Sequence, residues 1–107
     1  MAEPGEAKFE QQTVKIYHTP GKAPTCVPDP IVISKKQKHE VVWTCQSQEN
    51  FTVVMQSPSP FAQSAFTQDD SHSGEPILTP DTGKQLQFKY TVIVGKDTAD
   101  PGVIIEP

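Results

Sequence analysis

Alternation of apolar and polar side chains with a period of two dominates this chain. It is clearest over residues 85–94, where Leu86, Phe88, Tyr90, Val92 and Val94 fall on one face against Gln85, Gln87, Lys89 and Thr91 on the other. Strict alternation of that length predicts a long antiparallel strand with one face in a core. The same period recurs where Val14 and Ile16 sit between Thr13, Lys15 and Tyr17. Residues 31–33 and 40–45 predict two further strands, linked by a turn whose Lys35, Lys36 and Lys38 suit solvent. Phe51, Val53 and Met55 share one face of another strand, residues 77–79 read as a short edge strand between Pro76 and Pro80, and residues 101–107 read as the last. No segment carries the caps and the 3.6-residue period of a long helix. About seven short strands and no helix predict an all-β chain, a two-sheet sandwich of Greek-key type.

Proline and polar clusters punctuate the pattern. The chain holds 11 prolines in 107 residues, about twice the usual ~5%, and such a spread favours short strands and loops. Residues 1–11 are polar apart from Phe9 and read as a flexible N-terminal arm, leaving residues 12–107 as a single domain. Pro58 and Pro60 lack the amide hydrogen that a central strand needs, so the strand beginning at Phe51 must end before them. A long crossing loop then carries Phe61 and Phe66 as isolated aromatic anchors. Recognition on sandwich folds concentrates in loops, and aromatic side chains carry much of the energy of interfaces. We therefore expect Phe61 and Phe66 to divide the work, one packed as a lid and the other partly exposed as a contact; the alternative is that both pin the loop to the core. The Gln and Lys face of residues 85–94 offers few anchors by comparison.

Composition narrows the partners. The formal net charge is -4, and all nine cationic side chains are Lys. Arginine is the fork-shaped donor suited to phosphate and guanine, so its absence from an acidic chain argues against nucleic acid. No stretch reaches the ~20 apolar residues of a membrane-spanning helix, so no membrane insertion is expected. The partner expected is a protein, of unspecified identity.

Candidate chemistry is sparse. Cys26 and Cys45 permit one intramolecular pairing. If the strands at residues 31–33 and 40–45 pair about the Lys-rich turn, both cysteines lie near one end of that unit, and we expect a disulfide over two buried free thiols. Closing a loop of about twenty residues would contribute roughly 3 kcal/mol in the chain-entropy model. His18, His39, Cys26 and Cys45 are the residues an alternative metal site would draw on, but their spacing does not follow the patterns that set ligands on one turn or hairpin. Neither a metal nor another cofactor is expected. No phosphate loop and no constellation of nucleophile, base and orienter is visible, so the expected role is non-catalytic.

The order of elements resembles the first half of a cupredoxin. Pro28 to Ser34, the turn, Val41, Val42 and Trp43, and then Phe51 to Val54 match that family's strand, turn, strand ending in Trp, and ligand-bearing strand, with Phe51 where the first copper-ligating His would stand. The loop between the last two strands, residues 95–102, holds none of the Cys, His and Met that complete a blue copper site. The resemblance implies a cupredoxin-like sandwich without type 1 copper, acting as a binding or structural module. It also implies an exported or surface bacterial setting, periplasmic or extracellular; because the N-terminus has neither the basic nor the apolar region of a secretory signal, a cytoplasmic setting is the alternative. A metal-handling protein with a non-standard Cys and His site is the alternative.

Overall fold

The computed structural model describes residues 10–78, 80, 81 and 83–107. Among the described residues there are nine strands and no helix. They are β1 (Glu10–Tyr17), β2 (Thr25–Val27), β3 (Ile31–Ser34), β4 (His39–Cys45), β5 (Thr52–Met55), β6 (Ala65–Thr67), β7 (Leu86–Val94), β8 (Asp97–Ala99) and β9 (Gly102–Glu106). A three-stranded sheet has the order β2-β1-β4; a six-stranded sheet has the order β3-β9-β7-β5-β6, with β8 added to β7. Two pairs are parallel, β1 with β4 and β3 with β9; the rest are antiparallel. The all-β class and the two-sheet arrangement agree with the period-two pattern.

Differences from that pattern have local causes. β2, β6 and β8 are three residues each, too short to carry a legible period. Ile77 and Leu78 form no strand: Ile77 lies in a bend, is exposed, and donates its amide to the Pro60 carbonyl at 2.8 Å. With Pro76 and Pro80 on either side, neither flank can donate to a ladder. Thr79, the third residue of that expected strand, lies outside the described residues, as do residues 1–9 of the expected arm. Glu10 and Gln11 belong to β1, in register with His39 and Glu40 of β4.

Val14 and Ile16 face the six-stranded sheet's Ile33, Val53, Tyr90, Val92, Val94, Val103 and Ile105 across a single core. Trp43 projects from β4 into its centre, 1% exposed. Its ring lies 5.0 Å from Phe66 and 5.6 Å from Tyr90, the latter edge-on. The expected division of Phe61 and Phe66 does not occur, because they are 2% and 1% exposed. β6 pairs with β5 so that Phe66 stands opposite Val53 on the core face, and Phe61 packs edge-on against Phe66 at 6.3 Å. Neither ring offers a contact surface.

The expected disulfide is also corrected. β3 and β4 belong to different sheets, and β1 runs between the two cysteine-bearing strands, with Ile16 paired to Cys26 on one side and to Cys45 on the other. Two interstrand spacings are roughly 10 Å, beyond the ~7 Å that a disulfide can bridge. Both cysteines are free. Burial, with smaller contributions from Asp29 and Cys45 opposed by Tyr90, pushes the Cys26 thiol up to about 11.

β4 would be an open edge, but the crossing loop covers it. Ser71 O accepts from Trp43 N at 3.1 Å, Val41 O accepts from Ser73 N at 2.9 Å, and the Ser73 hydroxyl accepts from Val41 N at 2.8 Å. Buried Glu40 accepts from Gly74 N at 3.1 Å. The edge is thus closed to other strands.

Two measurements check this core. Trp43→Ala should lower the unfolding free energy by about 3–5 kcal/mol in denaturant titration, as other large aromatic truncations do, and a wild-type midpoint would put Trp43 outside the core. Thiol titration of air-handled protein in denaturant should return two thiols per chain; none would restore the disulfide.

Candidate functional site

Polar chemistry gathers first at the end of the sandwich where β1, β4 and β7 finish. Three loops meet there. Gln46 N donates to Ile16 O at 2.8 Å, and Gln48 turns the chain with φ 61°, so Glu49 swings back toward β1. Gly95, with φ 63°, takes the left-handed conformation that glycine adopts without strain. It opens the two-residue turn that pairs Asp97 with Val94. His18, just past the end of β1, is thereby held between two carboxylates: Nδ1–H donates to Glu49 Oε1 and Nε2–H donates to Asp97 Oδ2, both at 2.7 Å. Its side chain is 3% exposed. Ser47 donates to Glu49 Oε1 at 2.6 Å and Gly21 N to Asp97 Oδ2 at 2.9 Å.

Electrostatics follow from that geometry. The hydrogen bonds that His18 donates to Asp97 and then to Glu49 raise its pKa against the opposing effect of desolvation. The donors in turn hold both carboxylates low: Ser47 first and then His18 for Glu49, and His18 first and then Gly21 for Asp97. A doubly bonded imidazolium has no lone pair for a metal or a substrate proton. The two carboxylates bind opposite sides of the ring, so they do not converge on one ion. The network is a clamp across three loops.

Nor does the fold assemble the alternative metal set. His39 stands at the first residue of β4, where Nδ1 accepts from Ser34 N at 2.9 Å, and Cys45 stands at the last. Six steps along a strand separate them by about 20 Å. His18 is committed to its carboxylates, and β1 divides Cys26 from Cys45. Among the described residues no group of three or more His, Cys, Asp and Glu side chains could hold a metal ion.

A second feature lies on the six-stranded sheet. A cavity of about 500 Å³ runs over β7 and β9, between Asp29 and Pro30 on one side and Gln56, Ser57 and Pro58 on the other. Its volume is in the ~300–1,000 Å³ range of ligand clefts. Gly102 deepens it, since a Cβ there would lie 3.4 Å from Pro30 Cβ and 3.5 Å from the Phe88 carbonyl. Asp29 closes one wall by accepting from Gly102 N at 2.9 Å, and Lys89 is steadied by the Asp100 carbonyl at 3.1 Å. The groove carries one carboxylate and one ammonium, with the exposed amides of Gln56 and Gln87 between them. Sequence reasoning found the polar face of β7 but not this groove, because its walls come from segments far apart in the chain. The one local signal was proline: Pro30 and Pro58 each mark a wall.

No protein-family model, no curated protein and no solved structure matches this chain.

The clamp predicts a pH profile. Native His18 binds its proton more tightly than the unfolded chain does, so the stability it adds is complete below the unfolded value of 6.5 and is lost as pH rises through the raised native value. Glu49 and Asp97, lowered from 4.5 and 3.8, add stability above those values that is lost as pH falls through their native ones. The difference in urea midpoint between wild type and His18→Gln should therefore be largest near pH 5 to 6.5 and shrink toward both extremes. A difference that grows steadily into alkaline pH would refute the clamp.

Proposed function

We propose that the chain is a copperless cupredoxin-like sandwich of Greek-key type that works as a non-catalytic recognition module. Its partner is a protein, and its setting, as the resemblance implies, is an exported or surface bacterial protein. The family part of this reading rests on the frame: β3, the Lys-rich turn, β4 with Trp43, and Phe51 immediately before β5. The observation that carries the recognition part is the groove of about 500 Å³ on the six-stranded sheet, walled by Asp29 and Pro30 against Ser57 and Pro58. Its floor is strand, so its shape is held by the sheet and little ordering is needed on binding. The clamp contributes rigidity at the sandwich end, away from the groove.

Immobilised protein screened against peptide and glycan arrays tests this reading. Capture of peptides by the wild type, lost in Gln56→Trp at unchanged melting temperature, is the expected result, since Trp at that exposed wall position narrows the groove; capture of glycans alone would overturn the protein partner. Capture indifferent to Gln56→Trp, or no capture from either array, would overturn it.

A further inference from the structure

β7 has nine residues but unequal neighbours. β9 pairs with it from Leu86 to Lys89, and on the other edge β5 pairs with it only from Tyr90 to Ile93. The direction of each backbone group follows from two bonds. Tyr90 N donates to Pro101 O at 3.0 Å, on the β9 side, so by alternation Leu86 and Phe88 also turn their groups toward β9. Gln87 and Lys89 must then turn theirs the other way, and Gln56 N does donate to Lys89 O at 3.0 Å.

The next rung fails. β5 ends at Met55, paired with Tyr90, and the chain bends at Ser57 and Pro58, where a continued register would have reached Gln87; proline has in any case no amide hydrogen to donate there. Among the described residues no hydrogen-bond partner meets the backbone N–H and C=O of Gln87 on this side of β7. β7 therefore presents an open stretch of edge along the groove wall formed by Ser57 and Pro58. Beside it Leu86 and Phe88 are only partly buried against the core.

The geometry points to an extended peptide as the occupant of this groove, added as a short strand along the Gln87 edge of β7. This inference rests on the groove being the recognition site. An extended backbone offers the acceptor and donor that Gln87 lacks, in the plane of the sheet and, in an antiparallel pairing, from the one residue directly opposite. Alternate side chains of the added strand would cover Phe88 and Leu86, while those between would face Gln56 and Lys89. Asp29 and Lys89 leave the groove without net charge, which suits a neutral segment with alternating apolar and polar residues. Among the other short edges, β2 is bounded by Pro24 and Pro28.

The test uses decapeptides selected from a random display library on the immobilised full chain, then made synthetically. Gln87→Pro removes the edge donor and leaves the β9 rungs in place, whereas Gln87→Ala keeps the donor and removes only the side chain. The expected result is at least a tenfold loss of affinity in Gln87→Pro and less than threefold in Gln87→Ala. Peptides N-methylated at the residue that pairs with Gln87 should lose at least tenfold on the wild type, which decides the matter even if Gln87→Pro fails to fold. Amide exchange at Gln87 should slow when peptide is bound. Equal losses in the two variants, or indifference to N-methylation, would overturn strand addition. Selection of no groove-dependent peptide would also overturn it, and glycans captured in a groove-dependent way would then keep the groove as a recognition site while overturning the protein partner. Concentration-dependent dimers blocked by Gln87→Pro would assign the edge to a second copy of the chain instead.

Discussion

The contact of Trp43 with Phe66 and Tyr90 ties the three-stranded sheet to the six-stranded one, and the registers of both sheets depend on it. Side chains alternate across a strand, so a slip of one residue in β4 would turn Trp43 to the outer face and bring Thr44 inward. With β4 fixed, its parallel pairing fixes β1, and with β1 the separation of Cys26 from Cys45 and the position of His18 beyond the strand end. Tyr90 fixes β7 in the same way, which turns Gln87 and Lys89 outward into the groove. The contact carries a cost. The indole N–H and the Tyr90 hydroxyl are buried with no hydrogen-bond partner among the described residues, a penalty of about 1–3 kcal/mol each. Aromatic packing and the burial of three large rings offset it.

Polar groups are used in two different ways on this scaffold. At the end where three loops meet, charge is spent internally: His18, Glu49 and Asp97 satisfy one another and hold loops that share no ladder. On the face of the six-stranded sheet, the exposed Gln56 and Gln87 line an open groove, and among the described residues their side chains have no hydrogen-bond partner. The first arrangement gives rigidity and leaves no reactive lone pair, and the second leaves hydrogen-bonding capacity unused. Asp97, on the short strand β8 that follows β7, is engaged in holding His18.

Pro58 links fold and proposed recognition. It ends β5 by the same property that leaves Gln87 unpaired, since a missing amide hydrogen both stops the ladder and vacates the next rung. Gly102 acts in the same direction from the other side, keeping the floor of the groove free of a side chain beside Pro30 and Phe88.

Period-two alternation made the long strand at β7 and the core positions of β1 and β5 legible, because one buried face imposes that period on any strand long enough to show it. Trp43 was legible as core from its apolar neighbours Val41 and Val42. Strands of three residues carry no such signal, so β2, β6 and β8 emerged only when their neighbours were in place, and Phe66 could not be assigned to the core before β6 was seen beside β5. The cysteine pairing was misjudged because it assumed that strands adjacent in sequence are adjacent in a sheet, whereas β1 enters between the two cysteines. By itself, then, the sequence determined the all-β class, the main buried faces and the proline stops, all of which follow from interactions within a few residues. The His18 clamp, the separation of the thiols and the groove join residues dozens of positions apart, and only the packing of two sheets decided which of them would meet.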